Sequence, residues 1–156
     1  EEVKTLLVRD KTLYAAAEGG VFALDTATGV LRWRVAGGDL VEFTPESAEV
    51  YVMRPKSFAV LDAATGRDRR SFGLNERSVL RAWSGGVAYI SWRDRLSAFE
   101  VATGKKRWER RLDSGIGSVI IRDDSLFVTT VGVNLIGETP KTGYVYRLDP
   151  TTGKGA

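Results

Sequence analysis

The sequence predicts an all-β protein whose sheets are blades of a β-propeller. Three observations lead there. A five-residue turn occurs four times, ending at Gly29, Gly66, Gly104 and Gly153. Those glycines step by 37, 38 and 49 residues, the period of a repeat architecture. Between the turns lie short runs rich in Val, Tyr, Phe, Leu and Trp, bounded by Gly, Asp, Ser and Pro, and such runs read as strands. No long window carries a helical stripe.

Each unit repeats one order of four runs. The first is Lys4–Val8, Leu40–Thr44, Ser78–Trp83 and Gly117–Ile121 in the successive units. The second is Leu13–Ala17, Val50–Met53, Val87–Trp92 and Leu126–Val131. The third, entering the turn, is Val21–Leu24, Phe58–Leu61, Leu96–Phe99 and Tyr144–Leu148. The fourth leaves it as Val30–Val35, Arg67–Phe72 and Lys105–Leu112. The repeats therefore span about 4–36, 40–73, 78–112 and 117–156 of a single domain over 1–156. Each is a four-stranded antiparallel meander, and the chain holds about four blades. The last is a strand short, because only Lys154, Gly155 and Ala156 follow its turn.

The turn has its own chemistry. It joins the third strand to the fourth, and its final residue needs a positive φ, which Gly29, Gly66, Gly104 and Gly153 supply without a Cβ clash. The leading Asp25, Asp62 and Asp149 can accept backbone N–H groups inside the loop. Thr28, Thr65, Thr103 and Thr152 can do so more weakly. Glu100 replaces Asp in the third copy, so a looser local bond is expected there.

Composition narrows the chemistry. Hydrophobic residues at 43% and charged residues at 28% are ordinary for a globular domain. No apolar stretch is long enough for a membrane-spanning helix. The opening Glu1-Glu2-Val3-Lys4 is neither basic nor followed by an apolar core, so no signal peptide is expected in this sequence. There is no His and no Cys, which removes the commonest general base, the thiolate nucleophiles and the usual zinc ligands. No glycine-rich phosphate loop opens a helix. The repeated carboxylates fall one per unit, so they read as turn formers rather than as a catalytic pair. Asp123-Asp124 reads as a turn rather than a calcium site. No catalytic residue, metal site or cofactor is expected.

The net charge is +3 and the isoelectric point about 9.3. Basic residues gather on fourth strands: Arg67, Arg69 and Arg70, then Lys105, Lys106, Arg107, Arg110 and Arg111. Charges on outer strands keep edges from pairing with strangers. A nucleic-acid-binding module is the competing reading, and it would need those charges concentrated in one patch.

With the turns in register, the chain resembles the pyrroloquinoline-quinone-like propeller repeats. The matching stretches are Gly20 to Trp33, reading GVFALDTATGVLRW, and Leu96 to Trp108, reading LSAFEVATGKKRW. Arg70 stands where the second copy would carry Trp, and the fourth ends before that position. The resemblance implies that Trp33 and Trp108 dock one blade on the next. It implies a larger ring than four blades, reached as part of a longer chain or by a homodimer completing eight blades; the third reading has residues near Glu1–Lys4 cross over to complete the last blade. It also implies a non-catalytic scaffold, sensor or assembly domain of the bacterial envelope with a protein partner. A segment of a quinoprotein dehydrogenase whose active site lies outside these residues is the alternative.

Two places stand out as candidate partner sites. Trp92, Arg93 and Arg95, with Trp83 and Tyr89 nearby, have the composition of a binding hot spot. The fourth unit carries an insertion around Asn134, Leu135 and Ile136, and insertions in repeats map to loops on the binding face.

Overall fold

The computed structural model describes residues 3–43, 48–132 and 143–155, with side chains of 39–43 left aside. The chain divides into two compact units, Glu1–Glu76 and Arg77–Ala156. Each holds two antiparallel sheets of the kind that forms a propeller blade, and no helix occurs among the described residues.

In the first unit, sheet one runs β1 (Val3–Arg9), β2 (Thr12–Ala17), β3 (Gly20–Asp25) and β4 (Leu31–Ala36) in simple meander order. Sheet two repeats this with β5 (Asp39–Phe43), β6 (Glu49–Arg54), β7 (Ser57–Asp62) and β8 (Asp68–Gly73). Short two-residue turns force the meander. Asp10 and Lys11 both adopt positive φ, 44° and 61°, as a two-residue hairpin requires. Val50, Val52, Ala59 and Leu61 of sheet two are wholly buried in one cluster with Tyr14, Ala16, Val21, Ala23 and Trp33 of sheet one.

In the second unit, sheet three is β9 (Val79–Ser84), β10 (Val87–Trp92), β11 (Arg95–Glu100) and β12 (Lys105–Arg111). Sheet four has β13 (Gly115–Arg122), β14 (Ser125–Val131) and β15 (Val145–Leu148). Its fourth strand is only begun, by one bridge from Leu148 to Gly155. Asp123 and Asp124, at φ 48° and 54°, are the turn between β13 and β14. Leu126, Val128 and Leu148 of sheet four pack, fully buried, against Tyr89, Leu96 and Ala98 of sheet three.

The ladder from third to fourth strand slips by one residue at the same place in sheets one to three: Ala23/Leu24, Val60/Leu61 and Ala98/Phe99. Such a bulge re-aims the side chains beyond it. It sets Trp33 opposite Ala23, Arg70 opposite Val60 and Trp108 opposite Ala98.

Candidate interaction surface

The turns lock as their residue types require. Asp25 Oδ1 accepts from the N–H of Ala27 at 3.0 Å and of Thr28 at 2.9 Å, and from the Thr28 hydroxyl at 3.0 Å. The Gly29 N–H closes the loop on the Asp25 carbonyl at 2.8 Å. Asp62 and Asp149 repeat every one of these bonds. Glu100 keeps the Gly104 closure on its carbonyl at 2.7 Å, but its carboxylate takes only the hydroxyl bond from Thr103 within the loop, at 2.8 Å. Its extra methylene carries the carboxylate past the loop N–H groups.

An arginine seven residues after the acid completes the lock; sequence reasoning left Arg69 and Arg107 among the edge charges and did not single out Arg32. Arg32 reaches Asp25 at 2.6 Å, Arg69 reaches Asp62, and Arg107 reaches Glu100 at 2.8 Å. With Arg32 and the Thr28 bonds, Asp25 is held well below the usual carboxylate range. Arg69 and Thr65 bring Asp62 down to about 2. Most of the remaining basic rim is spent likewise. Arg70 holds Glu49 at 2.7 Å, Lys106 holds Glu109 at 2.8 Å, and Arg111 holds Asp94 at 2.6 Å. Arg110 donates to the Gly153 carbonyl at 2.8 Å.

Trp33 and Trp108 sit in matching sockets. Trp33 Nε1 donates to the Ala63 carbonyl at 2.9 Å, and the Tyr14 hydroxyl donates to the same oxygen at 3.1 Å. The two rings tilt on each other at 5.7 Å. In the second unit, Trp108 Nε1 donates to the Pro150 carbonyl at 2.9 Å, and the Tyr89 hydroxyl donates to the same oxygen at 3.4 Å. Gly66 and Gly153 form the socket floors. A Cβ on either would stand 2.7 or 2.6 Å from the indole ring. The glycine thus serves the turn, through its positive φ, and the seam, through its missing side chain. A small cleft opens at the end of the first seam, between Thr12, Tyr14 and Arg32 on one side and Ala63 and Ala64 on the other. Arg32 is bound there to Thr12 at 2.7 Å as well as to Asp25.

One strut in the second unit was not singled out from sequence. Arg81, in β9, donates from Nε to Ser91 at 2.7 Å, from Nη1 to the Gly117 carbonyl at 2.8 Å and from Nη2 to the Ile116 carbonyl at 2.9 Å. Burial pushes its pKa below the usual arginine value. Its position in a strand pattern gave no signal for this.

The hairpin between β10 and β11 brings Trp92, Arg93 and Arg95 together. Trp92 is half-buried, and the Arg93 guanidinium lies 4.8 Å over its ring. Arg95 is half-buried and bound to Glu109 at 2.7 Å. The hairpin is fixed from below. The Asp94 carbonyl accepts from Leu112 N–H at 2.8 Å, and the Asp94 carboxylate is held below its ordinary pKa chiefly by Arg111. Tyr89 is not part of this surface: it is 3% exposed and belongs to the Trp108 socket. Asn134, Leu135 and Ile136 lie outside the described residues. Among the described residues, no group of three or more His, Cys, Asp or Glu side chains is placed to hold a metal ion. Among the described residues, no helix is long and apolar enough to cross a membrane.

Repeated four-stranded sheets, joined by tryptophan sockets over glycine turns, define a propeller-type repeat protein of the pyrroloquinoline-quinone-like class. The chain belongs to the family described as outer membrane protein assembly factor BamB, whose model matches residues 3–156. A serine/threonine-protein kinase, AfsK of Streptomyces griseus, is 28% identical over 94% of this chain. The chain spans about a fifth of that kinase, 19% of its length. The crystal structure of BamB from Moraxella catarrhalis superposes with a TM-score of 0.65 at 17% identity, over 96% of this chain and 49% of that one. A europium-containing methanol dehydrogenase superposes at 0.66 with 14% identity, over 96% of this chain and 40% of that one. These likenesses to solved structures show the fold.

Proposed function

We propose that this chain is a non-catalytic interaction module that binds a protein partner, working as a scaffold, sensor or assembly domain in the bacterial envelope. The observation that carries the reading is the match of residues 3–156 to a family described as an assembly factor. The site that fits it is the Trp92–Arg93 stack, an exposed guanidinium on an aromatic ring, held by a hairpin anchored through Asp94. Trp and Arg are enriched where binding energy concentrates. The basic rim is largely neutralised by its own carboxylates, which favours a protein partner over nucleic acid.

A photo-crosslinking residue at Arg93, introduced in the native host, tests the reading. The expected result is a protein adduct that is absent when the same residue replaces the exposed Glu18. No adduct at Arg93, or equal adducts at both, overturns it. Two binding assays separate the alternatives. A melting temperature that rises with pyrroloquinoline quinone and calcium supports the quinoprotein segment. Duplex DNA binding that weakens steeply with salt supports the nucleic-acid module.

A further inference from the structure

We propose that the cleft at the end of the first seam binds a small zwitterion, an α-amino acid with an apolar side chain. The inference is independent of the partner reading above. It concerns the first unit, whereas the Trp92–Arg93 stack belongs to the second.

The cleft combines both signs of charge with an apolar wall. Arg9 ends β1, Asp10 opens the turn after it, and Arg32 reaches the same cleft from β4. Across the seam, sheet two contributes Ala48, Ala63 and Ala64. The volume is about 250 Å³, room for one small molecule and below the usual range of drug-sized sites. The three charges bear on one point. Burial raises the Tyr14 hydroxyl above its ordinary pKa, while Arg32 and Arg9 pull it down and Asp10 pushes it up.

The charges differ in how firmly they are held. Arg32 is tied to Thr12 and to Asp25, so it stands as a fixed cation beside the cleft. Arg9 Nε meets Asp10 at 3.3 Å, and the Asp10 side chain is 88% exposed. A pair so open to water contributes little, so a ligand separates it at low cost. A plain carboxylate would face the Asp10 charge, and a plain amine would face two guanidinium groups. A zwitterion suits both signs, with its carboxylate on Arg9 and its ammonium on Asp10. Its side chain then lies against the alanine wall, where larger residues would fill the space.

The second seam repeats the socket without this chemistry. Tyr89 stands in the place of Tyr14. Ser84 and Gly85 stand in the places of Arg9 and Asp10, so the rim loses both charges. Asp124, Pro150 and Thr151 stand in the places of Ala48, Ala63 and Ala64, so the wall is no longer small and apolar. The seam itself therefore does not require a charged rim over alanines; the first seam alone combines them.

An NMR titration of the purified chain with leucine, valine and phenylalanine tests the site. The expected result is saturable shifts at Tyr14, Ala48, Ala63 and Ala64 with at least one of the three, and none at Tyr89 or Thr151. Isocaproate, which is leucine without its ammonium, and isoamylamine, which is leucine without its carboxylate, should each bind about tenfold more weakly than leucine. Arg9→Gln and Asp10→Asn should each weaken binding by a similar factor; Asn suits the positive φ of 44° at residue 10. Ala48→Leu should abolish binding by filling the cleft, and Ala64→Leu, on the same wall, repeats that test should the first variant fail to fold. No saturable shift with any of the three amino acids overturns the proposal. Isocaproate or isoamylamine binding as tightly as leucine overturns the zwitterion, and binding unchanged in the filled variant overturns the cleft as its place.

Discussion

The second repeat differs from the first and third at one slot, and the difference shows what the slot does. Trp33 and Trp108 use it to reach the carbonyl of the following sheet. Arg70, set in the same register by the same bulge, binds Glu49 of its own sheet at 2.7 Å, with Glu49 only 8% exposed. Backbone register fixes where the side chain starts. Side-chain chemistry fixes whether it joins two sheets or satisfies a buried carboxylate within one.

The largest effects are expected at the first socket. Trp33→Ala removes a ring that is 8% exposed and leaves the Ala63 carbonyl with Tyr14 alone, at a cost of about 3–5 kcal/mol in urea unfolding. Trp108 is only half-buried, so Trp108→Ala should cost less. Equal losses would mean that the two sockets are not ranked by burial. Gly66→Val should approach the Trp33→Ala loss, because it adds a left-handed φ strain and pushes into the indole. Gly29→Val should cost about 1–2 kcal/mol from its φ alone, and Thr65→Val about 1 kcal/mol from one lost hydroxyl bond. If Gly29→Val matched Gly66→Val, the socket would contribute nothing.

Next comes the second repeat itself. Arg70→Trp restores the repeat pattern and still should destabilise by about 1–3 kcal/mol, because buried Glu49 loses its nearer partner. A more stable variant would show that pattern outranks local pairing. A small rise in the unfolding midpoint is expected from Glu100→Asp, as the third turn recovers its two carboxylate–N–H bonds. No change in midpoint would remove those bonds from the turn's energetics.

The smallest contrast lies in acid. Asp62 and Glu109 titrate at about 2 in the folded chain, below the ordinary carboxylate values of about 4. A depressed folded pKa gives stability that is present above about pH 4 and lost as pH falls toward 2. Asp62→Asn should flatten part of that acid limb in a pH series of thermal melts. An unchanged slope would mean the Arg69 pair is screened away by solvent.

Much of this was legible in order. Strand runs and turn glycines follow from composition and spacing, because a turn's φ and a strand's alternation are local, whereas the docking role of Trp33 and Trp108 came from the family resemblance alone. The lock from Arg32, Arg69 and Arg107 was present in sequence as a fixed step of seven from the acid, but a basic strand reads as a solvated rim until the bulge is known. Tyr14 and Tyr89 gave no warning of their role, since a tyrosine in a strand fits a core as well as a seam.

The sequence by itself determined the repeat, the four turns and the all-β class, because each depends on residues close together in the chain. Only the tertiary structure decided which carbonyl each tryptophan meets and that Arg70 pairs with Glu49. Those outcomes depend on partners 21 to 42 residues away, brought near by sheet register and packing.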